Sequence, residues 1–155
     1  MNILKSFVYA LQGVWHCITT QRNFRFHIVA ALSVVIVSLF YNFTRFEALT
    51  LGFIISFVLI CEMFNTAVEN CADAIGKEYN ENIKIAKDVA AGGVLLSAAL
   101  AVVGAFVLFW DVETIVFVIK YFAARPYLWI ATAVYTVVCV CFVMGLPFNK
   151  EKNNG

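Results

Sequence analysis

Proline and charge are both scarce in this 155-residue chain, which has two prolines, eight glycines and 14% charged residues. A soluble domain averages about 25% charged and about 45–50% apolar residues, whereas 63% of this chain is hydrophobic. So few chain-breakers beside fifteen phenylalanines favour long helices. They exclude a membrane barrel, whose short alternating segments would be separated by frequent turns. The formal charge is only +1 and no basic block is present to hold a phosphate backbone, so no nucleic-acid partner is expected. The five cysteines (Cys17, Cys61, Cys71, Cys139, Cys141) form no C-x-x-C pair and show no metal-site spacing. Four sit in or beside apolar runs, and inert, buried thiols are expected. No internal repeat or long linker divides the chain. An uninterrupted apolar stretch with a small-residue cleavage site is missing near Met1, because Gln12 and His16 interrupt it, so no cleavable leader is expected.

What remains is a succession of apolar runs. Over residues 3–20, Ile3, Phe7, Leu11, Val14 and Ile18 fall on one side of a helical wheel, opposite Lys5, Gln12, His16 and Thr19. That pattern predicts an amphipathic helix lying in the membrane surface, with His16 solvated on its polar face. Arg22 and Arg25 then mark the water boundary. Spanning helices are expected over residues 26–43, 46–68, 89–110 and 127–146, the first about the minimum length for ~30 Å of hydrocarbon. Residues 111–126, framed by Lys120 and Arg125, read as an interfacial helix or loop. The expected fold is an all-α polytopic membrane protein, with a membrane domain over 1–110 and a C-terminal extension over 111–155. A cytoplasmic N-terminus places eight of the eleven Lys and Arg residues inside and leaves Arg45, Lys120 and Arg125 outside. Both termini are therefore expected in the cytoplasm. Trp15, Trp110, Tyr127 and Trp129 read as interfacial anchors.

The chemistry gathers where the second run ends. Glu62, Asn65, Glu69 and Asp73 share one helix face within an arc of roughly 80°. A charge at the bilayer centre costs about 2.5–3.5 kcal/mol even on the lenient insertion scale, so such a stripe marks a functional site by default. Across a short polar turn, Lys84, Lys87 and Asp88 occupy an arc of about 100° at the start of the third run. Ala90-Ala91-Gly92-Gly93 follow, small enough to let two helix backbones approach closely. An acidic helix end facing a basic helix start can divide phosphoryl transfer between them, a divalent cation on the carboxylates and phosphates on the lysines. A carboxylate held partly out of water also suits Glu62 to accept a proton from an alcohol. The residues alone leave other readings open. Glu69 with Lys87, or Asp73 with Lys84, would serve as interhelical ion pairs in a structural bundle, and membrane-embedded carboxylates also line the paths of cation- or proton-coupled carriers.

The pattern Glu62-x-x-Asn65-Thr66-Ala67-x-Glu69-x-x-x-Asp73, followed by Ala86-Lys87-Asp88-Val89-Ala90-Ala91, resembles the signature of the small bacterial membrane kinases that phosphorylate diacylglycerol or undecaprenol. The likeness extends to Arg22-Asn23-Phe24-Arg25-Phe26-His27, to Tyr9 and Gly13, and to Ile75-Gly76 with Glu78-Tyr79. It covers roughly residues 7–110. It implies a homotrimer of three-span subunits with a surface helix, in the bacterial inner membrane, using ATP and magnesium. It further implies Glu62 as the base taking the lipid hydroxyl proton and Glu69 as a magnesium ligand. Asn65 and Asp73 would shape the site, with Tyr9, Gln21, Glu69, Glu78, Tyr79, Asn80, Lys87 and Asp88 near the nucleotide. The reaction implied is transfer of the γ-phosphoryl group of ATP to a lipid primary alcohol. Undecaprenol is favoured over diacylglycerol, because Arg-Asn-Phe-Arg-Phe-His and Lys-Asp-Val-Ala-Ala resemble that branch, although Ile-Gly-x-Glu-Tyr resembles the other. His27 matches the undecaprenol-type motif, with solvent or headgroup contact expected for its ring. Two departures stand out. Gln21 replaces the family's usual Glu as second metal ligand, where its carbonyl can still ligate a hard cation with one charge fewer. The extension beyond Trp110 has no counterpart, and its Thr132, Tyr135 and Thr136 are ordinary mid-span polar groups.

Overall fold

The computed structural model describes residues 3–76 and 80–151, and these form helices α1 (Ile3–Thr20), α2 (Arg22–Ser38), α3 (Arg45–Ile75), α4 (Glu81–Phe109), α5 (Val112–Ala123) and α6 (Pro126–Val143), then a 3-10 turn (Leu146–Glu151). Helix limits follow local chemistry. Thr44 and Glu47 build a reciprocal capping box for α3, with Thr44 N–H donating to Glu47 Oε2 at 2.7 Å and Glu47 N–H donating to Thr44 Oγ1 at 3.3 Å. Gly76 stops α3 at φ 142°, a region that side-chain-bearing residues avoid. Asp111 caps α5 through the N–H groups of Glu113 and Thr114. The Thr114 hydroxyl bonded to Asp111 holds that carboxyl below the usual range. Pro126 opens α6 at its first position, where its missing N–H has no helical partner to lose.

Among the described residues, α3, α4 and α6 are long and apolar enough to cross a membrane. A helix with the limits expected for the surface helix is present as α1, and α6 overlaps the fourth run expected over residues 127–146, ending at Val143. The first span is corrected. It stops at Ser38 instead of 43, leaving α2 with 17 residues, or ~25 Å. Two effects end it. The Ser38 hydroxyl donates back to Val35 O at 2.8 Å and competes with the helix ladder. The Tyr41 ring then packs edge-on against Phe109 at 4.9 Å while its hydroxyl donates to Phe109 O at 3.2 Å, drawing the chain out of helical register.

α3 and α4 form the principal antiparallel pair. Their register sets Ile54 opposite Gly104, where a Cβ would lie 2.5 Å from Ile54 Cδ1, and Asp73 opposite Lys87. The small residue at 104 thus lets the helices close on each other. α2 lies against α3 on one side and α6 on the other. The Ser33 and Tyr135 hydroxyls meet at 2.9 Å in the α2–α6 seam, and Arg25 reaches Val143 O, so these helices are also antiparallel. One end of the bundle therefore collects α1, the starts of α2 and α4, and the ends of α3 and α6. The other carries an aromatic cluster in which Phe40 meets Tyr121 at 5.7 Å and Phe43 meets Phe109 at 5.3 Å. Large apolar side chains such as Phe64, Leu95 and Val107 stay exposed on α3 and α4, as membrane-facing surfaces require.

Candidate active site

The stripe on α3 runs from the interior to the surface. Glu62 is 2% exposed and Asn65 7%; Glu69 is half-buried and Asp73 exposed. Helical spacing alone produces this gradient, because each turn carries the same face further towards the bundle end. Asn65 Nδ2 donates to Glu69 Oε1 at 3.3 Å, which fixes the amide with its oxygen turned elsewhere. Thr66, four residues after Glu62 and 3% exposed, joins the same face. Glu62 Oε2, Asn65 Oδ1 and Thr66 Oγ1 are all buried without a hydrogen-bond partner among the described residues. Three such atoms on adjacent turns are uncommon in a folded protein, where buried polar groups are nearly always paired. They make a polar recess that only a ligand, a cation or water can satisfy.

The recess is closed by α1. Cys17, 5% exposed, packs against Thr66 and Glu62, and burial pushes its thiol above the ordinary value. The expectation of uniformly buried thiols is corrected: Cys17 is buried, Cys61, Cys139 and Cys141 are half-buried, and Cys71 is exposed. Arg25, read from the sequence as a marker of the water boundary, is buried within the protein at 6% exposed, donating from Nη1 to Ile18 O and Thr19 O at 3.0 and 3.2 Å and from Nε to Val143 O at 3.1 Å. Carbonyls left free at helix ends carry partial negative charge and replace the water this cation loses.

The two expected ion pairs also change partners. Lys87 Nζ reaches Asp73 Oδ1 at 3.1 Å. The antiparallel register explains the exchange, since Glu69 is left level with Ala90 and Ala91. The pair is largely solvated and contributes about 0–1 kcal/mol. It leaves Glu62 untouched, so a merely structural ion-pair role does not account for the buried part of the stripe.

The remaining expected residues are placed as follows. Tyr9 is exposed on α1, two turns before Cys17. Gln21 forms the one-residue extended link between α1 and α2, half-buried, with its side chain free of any capping bond. Asn80 caps α4, its Oδ1 accepting from the N–H groups of Asn82 and Ile83 at 2.9 and 3.3 Å. Asp88 is exposed on α4. Glu78 and Tyr79 lie outside the described residues. Thr66, Cys17 and Arg25 are the residues that sequence reasoning missed. Thr66 was within reach, because its position four after Glu62 puts it on the stripe. Cys17 carried no signal beyond its own identity.

A cavity of about 270 Å³ lies between α2, α3 and α4, lined by Phe26, His27, Ala30, Ile55, Val58 and Ala98 among others. Val58 stands one turn before Glu62, so the cavity leads towards the carboxylate. His27 is its only polar side chain, half-buried and edge-on to Phe26 at 5.7 Å. The half-buried ring thus lines an apolar space.

A helical membrane protein with a buried acidic recess beside an apolar cavity has the parts of an enzyme acting on a lipid. The prokaryotic diacylglycerol kinase family model matches residues 8–109. A diacylglycerol kinase of Synechocystis is 41% identical over 103 residues, covering 66% of this chain and 59% of that protein. The undecaprenol kinase of Bacillus subtilis is 34% identical, covering 70% of this chain and 88% of its own length. The diacylglycerol kinase of Escherichia coli is 30% identical, covering 71% and 90%. This chain belongs to the prokaryotic diacylglycerol kinase family, a class of phosphotransferases with an alcohol acceptor.

Proposed function

We propose that the chain transfers the γ-phosphoryl group of ATP to the primary hydroxyl of a membrane lipid alcohol, with Glu62 as general base. The observation that carries this reading is the buried Glu62 carboxylate oxygen, unpartnered among the described residues and one helical turn beyond Val58 of the apolar cavity. A lipid whose chain enters between α2 and α3 brings its hydroxyl to that oxygen. The free Thr66 hydroxyl and Asn65 carbonyl then orient the acceptor, and closure by α1 keeps water from competing as nucleophile. As the lipid oxygen bonds to the γ-phosphorus, the bond from that phosphorus to the β,γ-bridging oxygen breaks, ADP leaves and the hydroxyl proton passes to Glu62. Lys87, already reaching across to the stripe, and Asp88 approach the nucleotide at the bundle end. Tyr9 and Asn80 belong to the same nucleotide-facing rim, with Glu78 and Tyr79, outside the described residues, proposed as further nucleotide contacts.

Magnesium fits the donors present. Gln21, Glu69 and Asp73 offer hard oxygens, and among the described residues no three acidic, His or Cys side chains converge as a closed metal cage. Magnesium is commonly held in that way, by one or two carboxylates with phosphates and water completing the shell. When bound, it neutralises charge on the phosphates. Glu69 and Gln21 would hold it, Asp73 would shape the boundary, and Gln21 supplies a carbonyl in place of a carboxylate.

Undecaprenol is the acceptor we favour over diacylglycerol. A cavity offering His27 alone as a polar lining side chain suits an all-hydrocarbon prenyl chain better than a lipid with two ester carbonyls to satisfy. We further read the protein as a homotrimer in the bacterial inner membrane with cytoplasmic termini. The positive-inside rule and the exposed apolar faces of α3 and α4 support that reading. The test offers undecaprenol and diacylglycerol in parallel to purified protein with γ-labelled ATP and magnesium. Label on undecaprenol is expected. Label on diacylglycerol alone would reverse the acceptor assignment, and label on neither would remove the activity.

A further inference from the structure

The family match ends at residue 109, yet the chain beyond it returns to the end of the bundle that carries the recess. Gly145, at φ 75°, turns the chain after α6, and a Cβ there would lie 3.0 Å from Arg25 Nη2. The turn delivers Phe148 between three helices. Its ring lies edge-on to Trp15 of α1 at 6.2 Å and to Phe142 of α6 at 6.0 Å, with the Arg25 guanidinium of α2 5.9 Å from its centre. Arg25 holds the same three helices from inside. Its hydrogen bonds end on the last turn of α1 and the last carbonyl of α6. A buried guanidinium with no carboxylate partner among the described residues is tolerable only while those carbonyls stay in place. Ile18 and Thr19, which accept from it, directly follow Cys17, the residue that closes the recess over Glu62 and Thr66.

We propose that Arg25 is a positioning residue and that the C-terminal segment, through Val143 and Phe148, is a clamp holding α1 closed over the Glu62–Thr66 recess. The family's core would then be completed in this chain by its own C-terminal helix α6 and the turn after it. The catalytic consequence rests on the reading of Glu62 given above, whereas the clamp itself does not. Because α1 also carries Tyr9 and leads into Gln21, loosening it should weaken nucleotide use. The apolar cavity involves α2, α3 and α4 only, so lipid binding should be spared.

The test uses the full chain with Cys61, Cys71, Cys139 and Cys141 replaced by Ala, leaving Cys17 as the only thiol. Its maleimide labelling rate in bilayers reports how often α1 lifts. In Phe148→Ala and Arg25→Gln, labelling should be about tenfold faster at unchanged helicity, equivalent to about 1.4 kcal/mol of lost closure. Phe148→Tyr, which keeps the ring, should restore the slow rate. In the kinase assay Phe148→Ala should raise the KM for ATP and leave the KM for the lipid alcohol unchanged. Parent-like labelling in Phe148→Ala overturns the clamp, and that variant decides alone if Arg25→Gln fails to fold. Faster labelling beside an inactive parent would uphold the clamp while removing the kinase reading.

Discussion

Thr66→Val should make this protein more stable and less active. Valine keeps the branched shape of threonine and deletes only the hydroxyl, whose oxygen is 3% exposed as part of its residue and unpartnered. A buried polar group left unpaired costs about 1–3 kcal/mol, so its removal should return that amount to the ligand-free protein. At roughly 2–4 °C per kcal/mol for a chain of this size, the midpoint should rise by about 2–12 °C. The gain should shrink when the lipid alcohol is added, because the parent then has a use for the hydroxyl. Circular dichroism melts in detergent, with and without the lipid alcohol, measure the first effect, and labelled-ATP turnover measures the second. A variant that melts lower while turning over normally would refute the reasoning, since Thr66 would then be a satisfied packing residue.

Gln21→Glu should lower the magnesium concentration for half-maximal activity, by restoring the charge that the glutamine lacks; an unchanged magnesium titration would acquit Gln21. Lys87→Met should change unfolding stability by less than about 1 kcal/mol, because its bond to Asp73 is largely solvated, yet raise the KM for ATP. Gly76→Ala should destabilise by about 1–3 kcal/mol, read from a denaturation midpoint, since φ 142° is strained for any residue with a Cβ. Gly104→Leu should weaken α3–α4 packing by about 1–3 kcal/mol, as even a methyl would meet Ile54 at 2.5 Å.

The chain announces its architecture through periodicity, because lipid demands long apolar helices and little else. α1 was legible to the residue, since one apolar face set against Lys5, Gln12 and His16 ends where the pattern ends. The end of α2 was not, because Tyr41 stops it through contacts with Phe109, 68 residues away. Glu62, Asn65, Glu69 and Asp73 could be read as one face from spacing, and their descending burial follows from it. The pairing of Lys87 with Asp73 could not, since it depends on the interhelical register set where Gly104 meets Ile54. The hydrogen bonds of Arg25 were not legible for a similar reason, because they depend on the ends of α1 and α6 converging on it. The extension showed no chemistry in its own residues. Its importance lies in backbone carbonyls and one ring, which sequence patterns do not reveal.

The measurement that bears most directly on the account is single-turnover phosphorylation by Glu62→Gln, with nucleotide and lipid binding followed separately. The amide keeps the shape of the recess and removes the base. The account predicts that both ligands bind with near-parental affinity while phosphoryl transfer slows by about 10²–10⁴-fold. Transfer at the parental rate, or a loss explained wholly by weaker binding, would contradict it.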